Sequence, residues 1–350
     1  MTASPSIQSN TEILRYSHTV GLCVMQDRGF MFPVDTLVAE DGRLHTVSRA
    51  YFAAAAQLRV TVYDTESEYY GVYGGFGDEV GQFKWPTSIA SDKNGRIYIS
   101  DEQLNRINIF ENDGDSVGYW GVEGSGRGEL LGPSGIAFDA DDNLFVSDQI
   151  NNRIQKFSKN GLVMDDFQIA KDADTEPNLP WGLTVDVEGF VYVADWGNHC
   201  VKKYSPDGSY IARFGSLGDG DGQFKNPSCV AVDSDGYIYV TDWGNERLQI
   251  LDFEGRFVSK LRGQATISKW GQEYLDSNYE EAEPRSRSNL EPSIDLFGGD
   301  PHEESAHIEK YFWGPTSVKI DQNDNVYVTE SNRHRVQIYN KVRQVIAEVH

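Results

Sequence analysis

The chain has 350 residues, 39% of them hydrophobic and 12% aromatic, with 34 glycines and a formal net charge of −23. Its 54 acids against 31 bases create a field that repels phosphate backbones and anionic lipid, which excludes nucleic-acid and membrane partners. Three scattered cysteines (Cys23, Cys200, Cys229) imply no disulfide framework, and "MTASPSIQSNTEIL" has neither the basic flank nor the apolar run of a leader, so a cytoplasmic protein is expected.

In chain order, residues 1–12 read as a tail, and "HTVGLCVMQDRGFMFP" (18–33) as an outer strand followed by a linker. From Pro33 onward the chain repeats itself. Pro86, Pro133, Pro180 and Pro227 are each 47 positions apart (133 − 86, 180 − 133, 227 − 180); Pro33 lies 53 before the first (86 − 33) and Pro315 lies 88 after the last (315 − 227). Each opens the same phrase: "WPTSIASDKNGRIYISD", "GPSGIAFDADDNLFVSD", "LPWGLTVDVEGFVYVAD", "NPSCVAVDSDGYIYVTD", "GPTSVKIDQNDNVYVTE" and the weaker "FPVDTLVAEDGRLHTVS". Alternating or β-branched apolar runs separated by Asn-Gly and Asp-Gly turns give three strands per copy, and segments such as "YYGVYGG" or "SYIARFG" give a fourth. Four strands in a period in the forties mark a propeller blade. Six copies therefore predict an all-β, six-bladed propeller over residues 13–350, four antiparallel strands per blade. The N-terminal segment is expected to close the ring on the last blade, with "RQVIAEVH" (343–350) a rival for that edge.

Within each copy an acid stands fifteen residues after the proline (Asp101, Asp148, Asp195, Asp242, Glu330), and in four copies an arginine stands twenty after it (Arg106, Arg153, Arg247, Arg335). A feature that nearly every blade carries serves what every blade needs, namely its turn, with the carboxylate accepting backbone N–H bonds. These features, together with linkers such as "FGSLGDGDGQFKNP" and the motifs "ADWGNHCVKKY" and "TDWGNERLQIL", resemble the NHL-repeat propellers. That resemblance implies the fold over about residues 30–340. It leaves function open, since relatives include RNA-binding and protein-binding domains as well as lyases.

Ligand chemistry is expected where the copies differ. In "SRAYFAAAAQLRVTVYD" (48–64), Ser48 replaces the turn acid, Arg49, Tyr51 and Phe52 follow it, and six extra residues precede Arg59, which aligns with the blade arginines. His45 stands where other copies carry Tyr98, Phe145, Tyr192, Tyr239 and Tyr327. An acidic insertion at about 263–312 separates the fifth copy from the sixth. Loops between second and third strands and linkers between blades leave a propeller on one face, so both embellishments are expected there as walls or a lid. Trp181, Trp196 and Trp243 belong to the same face, while Asp35 and Cys229 fall near the axis, where other copies carry Ser88, Gly135, Gly182 and Ser317.

The chain also resembles, distantly, the peptidyl-α-hydroxyglycine α-amidating lyases. Arg49 matches that family's substrate-contacting arginine, but Thr87, Trp181 and Thr316 stand where its zinc histidines belong, and Ile150 where its tyrosine base belongs. No zinc site is recognisable, and any cofactor stays unknown. Two readings remain. In one, a pocket at the axis of the loop-bearing face serves a lyase or hydrolase of a small anionic organic substrate. Arg49 holds the anion, and Tyr51, His45 and Asp35 are the acid/base candidates. Trp181, Trp196, Trp243, Thr87, Cys229 and Thr316 then bind the ligand. In the other, the same face is a non-enzymatic module for a protein or peptide.

Overall fold

The computed structural model describes residues 12–23, 28–50, 52–164, 167, 175–293 and 298–343. Six sheets stand around an axis, each opened by one of the repeated prolines. The inner strands are Pro33–Val38, Pro86–Ser91, Pro133–Phe138, Pro180–Val185, Pro227–Val232 and Pro315–Ile320, which begin blades 1 to 6. Successive strands pair antiparallel outward, four to a blade, except that blade 3 shows three among the described residues. In blade 6 the outermost strand is the N-terminal Leu14–Val20, with Leu14 opposite Lys341 and Val20 opposite Val336. The ring is thus closed by the N-terminal segment, as the sequence predicts; residues 344–350 of the rival "RQVIAEVH" lie outside the described residues.

The apolar runs are continuous because both faces of a blade are buried, each against its neighbour. The core is accordingly divided among the seams. Val34, Val47 and Val60 of blade 1 meet Ile89, Ile97 and Phe110 of blade 2, and the pattern recurs to the last seam, where Leu44 and Tyr63 of blade 1 meet Tyr327 and Ile338 of blade 6.

The repeated acids act as turn organisers. Asp148, Asp195, Asp242 and Glu330 each accept the N–H of a linker residue (Leu131, Asn178, Lys225 and Trp313, at 2.7 to 3.0 Å), and Asp101 accepts Lys84 N–H at 2.7 Å. Arg153, Arg247 and Arg335 bind the acid of their own blade at 2.7 Å, and they also donate to linker carbonyls. In blade 4, where Cys200 takes the arginine position, Lys202 supplies the cation at 3.1 Å from Asp195.

A second repeated contact joins neighbouring blades. Asn105, Asn152, His199, Glu246 and His334 each accept a backbone N–H from the residue before the next inner strand (Gly132, Leu179, Asn226, Gly314 and Phe32) at 2.6 to 3.1 Å. Acceptor and donor residues alike have φ between 46° and 68°, a left-handed conformation that turns the acceptor side chain back across the seam. These clasps close five junctions. At the sixth, from blade 1 to blade 2, the corresponding position is Leu58, which has no acceptor, and Trp85 N–H turns to Asp101 of its own blade.

The insertion before blade 6 is helical: α1 (Lys269–Ser277), α2 (Tyr279–Arg287) and α3 (Pro301–His307). Ser268 caps α1, accepting Gly271 N–H and donating to the Gly21 carbonyl. The Trp270 side chain is buried against Phe30, Tyr63 and Tyr69, and its Nε1–H donates to Ser67 O at 2.7 Å. Thr266 bonds the Tyr16 hydroxyl of the closing strand. The insertion, expected as walls or a lid on the loop-bearing face, divides its roles. Burial of the Trp270 ring sets α1 at the rim, where it straps the closing strand to blade 1, and α3 packs on the blade 5 turn at Trp243–Asn245 of the loop-bearing face. No helix among the described residues is long and apolar enough to cross a membrane.

Candidate functional site

The loop-bearing face carries the candidates Trp181, Trp196 and Trp243. Trp181 follows an inner-strand proline, and Trp196 and Trp243 each open a 3-10 turn directly after a turn acid. Their rings form one row across blades 4 and 5, with centroids 4.6 Å and 5.2 Å apart. All three are half-buried. Further apolar groups share this face: Trp85 is 41% exposed, Ile150 53% and Leu179 40%. At the blade 5 edge of the row stands α3. Its His302 Nδ1 lies 2.6 Å from Glu246 Oε1, and Trp313 Nε1–H donates to His302 Nε2 at 3.3 Å.

Arg49 also reaches this face but spends its donors inside the fold. Nε donates to the Pro86 carbonyl at 2.8 Å, and Nη2 donates to Thr87 Oγ1 at 2.7 Å and Glu102 Oε2 at 3.3 Å. The guanidinium lies over Trp85, 4.8 Å from the ring centroid. Burial pulls the Arg49 pKa down to about 10 and pushes Glu102 up, against their mutual attraction. The expected anion-holding arginine is instead a bridge between blades 1 and 2, across the junction that lacks a clasp. Thr87 is buried beneath it, and Thr316 Oγ1 donates to the Thr329 carbonyl at 3.3 Å.

The acid/base candidates do not converge there. His45 is fully buried within blade 1, 3.3 Å from the Tyr73 hydroxyl, and burial pushes its pKa down to about 4. Tyr51 lies outside the described residues. Asp35 is buried near the axis, where it accepts Ser88 Oγ–H at 2.7 Å and Ile89 N–H at 3.0 Å. Its Oδ2 lies 3.1 Å from Lys319 Nζ. Burial alone would lower the Lys319 pKa, and the Asp35 charge outweighs it and raises it. Cys229 is buried in the same region with Sγ 3.7 Å from Val318 O, and burial raises its pKa. A thiol so placed fills space and stays protonated. The equivalent residues Gly135 and Gly182 must be glycine, since a Cβ would come within 2.3 Å of Trp181 O and 2.7 Å of Cys229 Cα.

The structure brings Asp35, Ser88 and Cys229 together near the axis and adds Lys319, which the sequence reading missed. Its signal was a lysine where the other inner strands carry Leu37, Ala90, Ala137, Thr184 and Ala231. Lys319 lines an axial cavity of about 310 Å³ among the inner strands of all six blades, at their far ends from the tryptophan row.

Comparison with known proteins agrees with this architecture. The SMP-30/gluconolactonase/LRE-like region model matches residues 88–217, and the NHL repeat model matches residues 224–251 and 312–339. A Bacteroides thetaiotaomicron protein of unknown function superposes with a TM-score of 0.59 at 19% identity, covering 91% of this chain and 71% of its own. Catalytically inactive virginiamycin B lyase from Staphylococcus aureus, crystallised with quinupristin, superposes with a TM-score of 0.54 at 13% identity, covering 89% and 80%. A chain of a nidogen/laminin complex gives 0.50 at 19% identity, covering 71% and 92%. At such identities the likeness is one of fold. A comparison with curated protein sequences finds no match.

Proposed function

The chain is an NHL/SMP-30-like six-bladed β-propeller, and from that premise we propose that it is a recognition module whose loop-bearing face binds a peptide segment on the Trp181–Trp196–Trp243 row. The observation that carries this reading is the row itself, three half-buried indoles in ring contact across two blades, with Leu179 and Ile150 exposed on loops of the same face. Stacked indoles offer π-faces to aromatic, proline or cationic side chains. The charge of −23 selects among these for basic peptides and speeds their encounter. Of the two readings left open by the sequence, the lyase or hydrolase needs Arg49 turned to a substrate and an acid/base group beside it. Arg49 is instead occupied by Pro86, Thr87 and Glu102, and His45 is sealed within blade 1.

The test is a peptide-array screen of the intact chain beside its Trp196→Ala variant, with hits confirmed by tryptophan fluorescence titration. Peptides carrying Lys or Arg next to an aromatic residue or proline should be retained, and Trp196→Ala should weaken them at least about tenfold, the scale of one lost stacking anchor. An array that retains nothing, or one whose hits ignore Trp196→Ala, would overturn the proposal.

A further inference from the structure

The face opposite the tryptophan row carries a hollow of about 520 Å³ over blades 4, 5 and 6. Val185, Val232 and Ile320, where three inner strands end, line it together with the turns that follow them and with Phe253. None of these residues belongs to the row, so the two surfaces stand or fall separately.

Two apolar side chains project at this hollow, and each departs from the repeat. Val187 is 94% exposed, the most of any large apolar side chain among the described residues. It stands where the other blades carry the polar or small residues Glu40, Lys93, Ala140, Ser234 and Gln322. Phe253 is 63% exposed, in the turn between the third and fourth strands of blade 5. Blades 2, 3 and 4 carry Asn112, Lys159 and Pro206 at that position, so the turn itself does not require an aromatic ring. Exposed apolar side chains scattered singly are ordinary, but two non-repeat ones lining a single hollow form an apolar surface without a cover.

The charges around that surface select what covers it. Blades 2 to 6 each have an aspartate in the turn after the inner strand: Asp92, Asp139, Asp186, Asp233 and Asp321. A lysine neutralises three of them, with Lys159 at 3.6 Å from Asp92, Lys156 at 3.4 Å from Asp139 and Lys341 at 2.7 Å from Asp233. The other two, Asp186 and Asp321, both line the hollow. Asp186 accepts the N–H groups of Glu188 and Phe190, and Asp321 those of Asn323 and Asn325 with the Tyr327 hydroxyl. Neither makes an ion pair among the described residues, and nor does Glu188 beside Val187. Lys203 is the counterpart of Lys156 one repeat later (203 − 156 = 47), yet its ammonium lies over the rings of Phe190 and Tyr192, 4.3 and 4.8 Å from their centroids. An apolar surface rimmed by carboxylates that lack a cation is complementary to an apolar group flanked by cations.

We propose that this hollow docks a basic peptide segment, with one bulky aliphatic side chain against Val187 and Phe253 and its lysine or arginine side chains on Asp186, Glu188 and Asp321.

Fluorescence anisotropy of the full chain with the capped, fluorescein-labelled peptide Lys-Lys-Leu-Lys-Lys tests the proposal. Leucine, in place of an aromatic residue or proline, keeps this probe outside the class assigned to the tryptophan row. It should bind saturably, and Gln-Gln-Leu-Gln-Gln, which keeps the apolar group and loses the charge, should bind about tenfold more weakly. Phe253→Ser, at a position where other blades carry polar residues, should weaken the lysine peptide by a similar factor, and so should Glu188→Lys on the exposed turn. Trp196→Ala should leave its affinity unchanged. The proposal is overturned if the lysine peptide shows no saturable binding, if the glutamine peptide binds equally well, if Phe253→Ser and Glu188→Lys both bind as the parent does, or if Trp196→Ala removes the binding.

Discussion

Arg49 and Pro86 belong to different blades, and Arg49 Nε donates to the Pro86 carbonyl at 2.8 Å. This bond crosses the one junction of the six where the side-chain clasp is replaced, Leu58 standing at the acceptor position. The blade that gave up its turn acid for Ser48 and gained Arg49 therefore keeps its attachment to the ring by another route. Arg49→Ala should remove the bridge and leave Glu102 partly buried beside no cation. The expected loss is about 2 kcal/mol, reduced from the cost of breaking a fully buried pair because Glu102 keeps some access to water. Arg49→Lys should recover only part of it, since one ammonium cannot reproduce the fork that spans Pro86, Thr87 and Glu102. Urea unfolding of both variants checks this, and an Arg49→Ala midpoint equal to that of the parent would remove the bridging role.

His45 supplies a pH-dependent prediction. Its ring is fully buried, its Nε2 has no partner among the described residues, and burial pushes its pKa down to about 4 although Asp41 opposes this. The native state thus binds fewer protons than the unfolded chain between pH 4 and the ordinary histidine value of about 6.5. On this account stability is full above about pH 6.5 and is lost as pH falls through 4. His45→Phe places at this site the residue that blade 3 carries as Phe145. It should be nearly neutral or stabilising at pH 7.5, and more stabilising at pH 5. His334, also lowered to about 4 by burial, keeps its own share of the acid sensitivity in the variant. Thermal unfolding from pH 4.5 to 8 measures the difference, and parallel curves for parent and variant would contradict it.

The fold was legible because its repeated signals are backbone requirements. A proline opens each inner strand, and an acid such as Asp242 or Glu330 accepts a linker N–H. The interblade clasp was hidden because Asn105, His199 and Glu246 share a conformation and an acceptor atom rather than a residue type. The helices of the insertion escaped a search tuned to strands, although Ser268 before an amphipathic segment is a cap signal. At the candidate site, the tryptophans could be assigned to a face from their place in the repeat. The partners of Arg49 could not, because Pro86 and Glu102 lie on the next blade and their geometry depends on how two sheets pack. Lys319 was overlooked for a related reason: its partner Asp35 is at the other end of the chain, across the closed ring.

Glu246 makes the clasp from blade 5 to blade 6 and is the acidic member of the set. Its Oε2 accepts Gly314 N–H at 2.6 Å, and its Oε1 lies 2.6 Å from His302 Nδ1 on α3. Because Trp313 donates to Nε2 of His302, the imidazole proton sits on Nδ1 and points to Glu246. Burial raises the Glu246 pKa to about 7, with the Gly314 and His302 hydrogen bonds holding it down. The native state therefore binds a proton more readily than the unfolded chain between the ordinary glutamate value of about 4.3 and pH 7. This contribution to stability is full below that lower value and is lost as pH rises through 7. Glu246→Gln keeps an acceptor for Gly314 N–H and removes the titration. Relative to the parent, the variant should gain stability from pH 5 to pH 8 by up to about 3 kcal/mol, most of the value of such a shift. Urea midpoints of both proteins at pH 5, 6.5 and 8 decide the matter. If the gap between them stays constant across that range, Glu246 does not titrate at the seam, and α3 is held there by contacts that pH leaves alone.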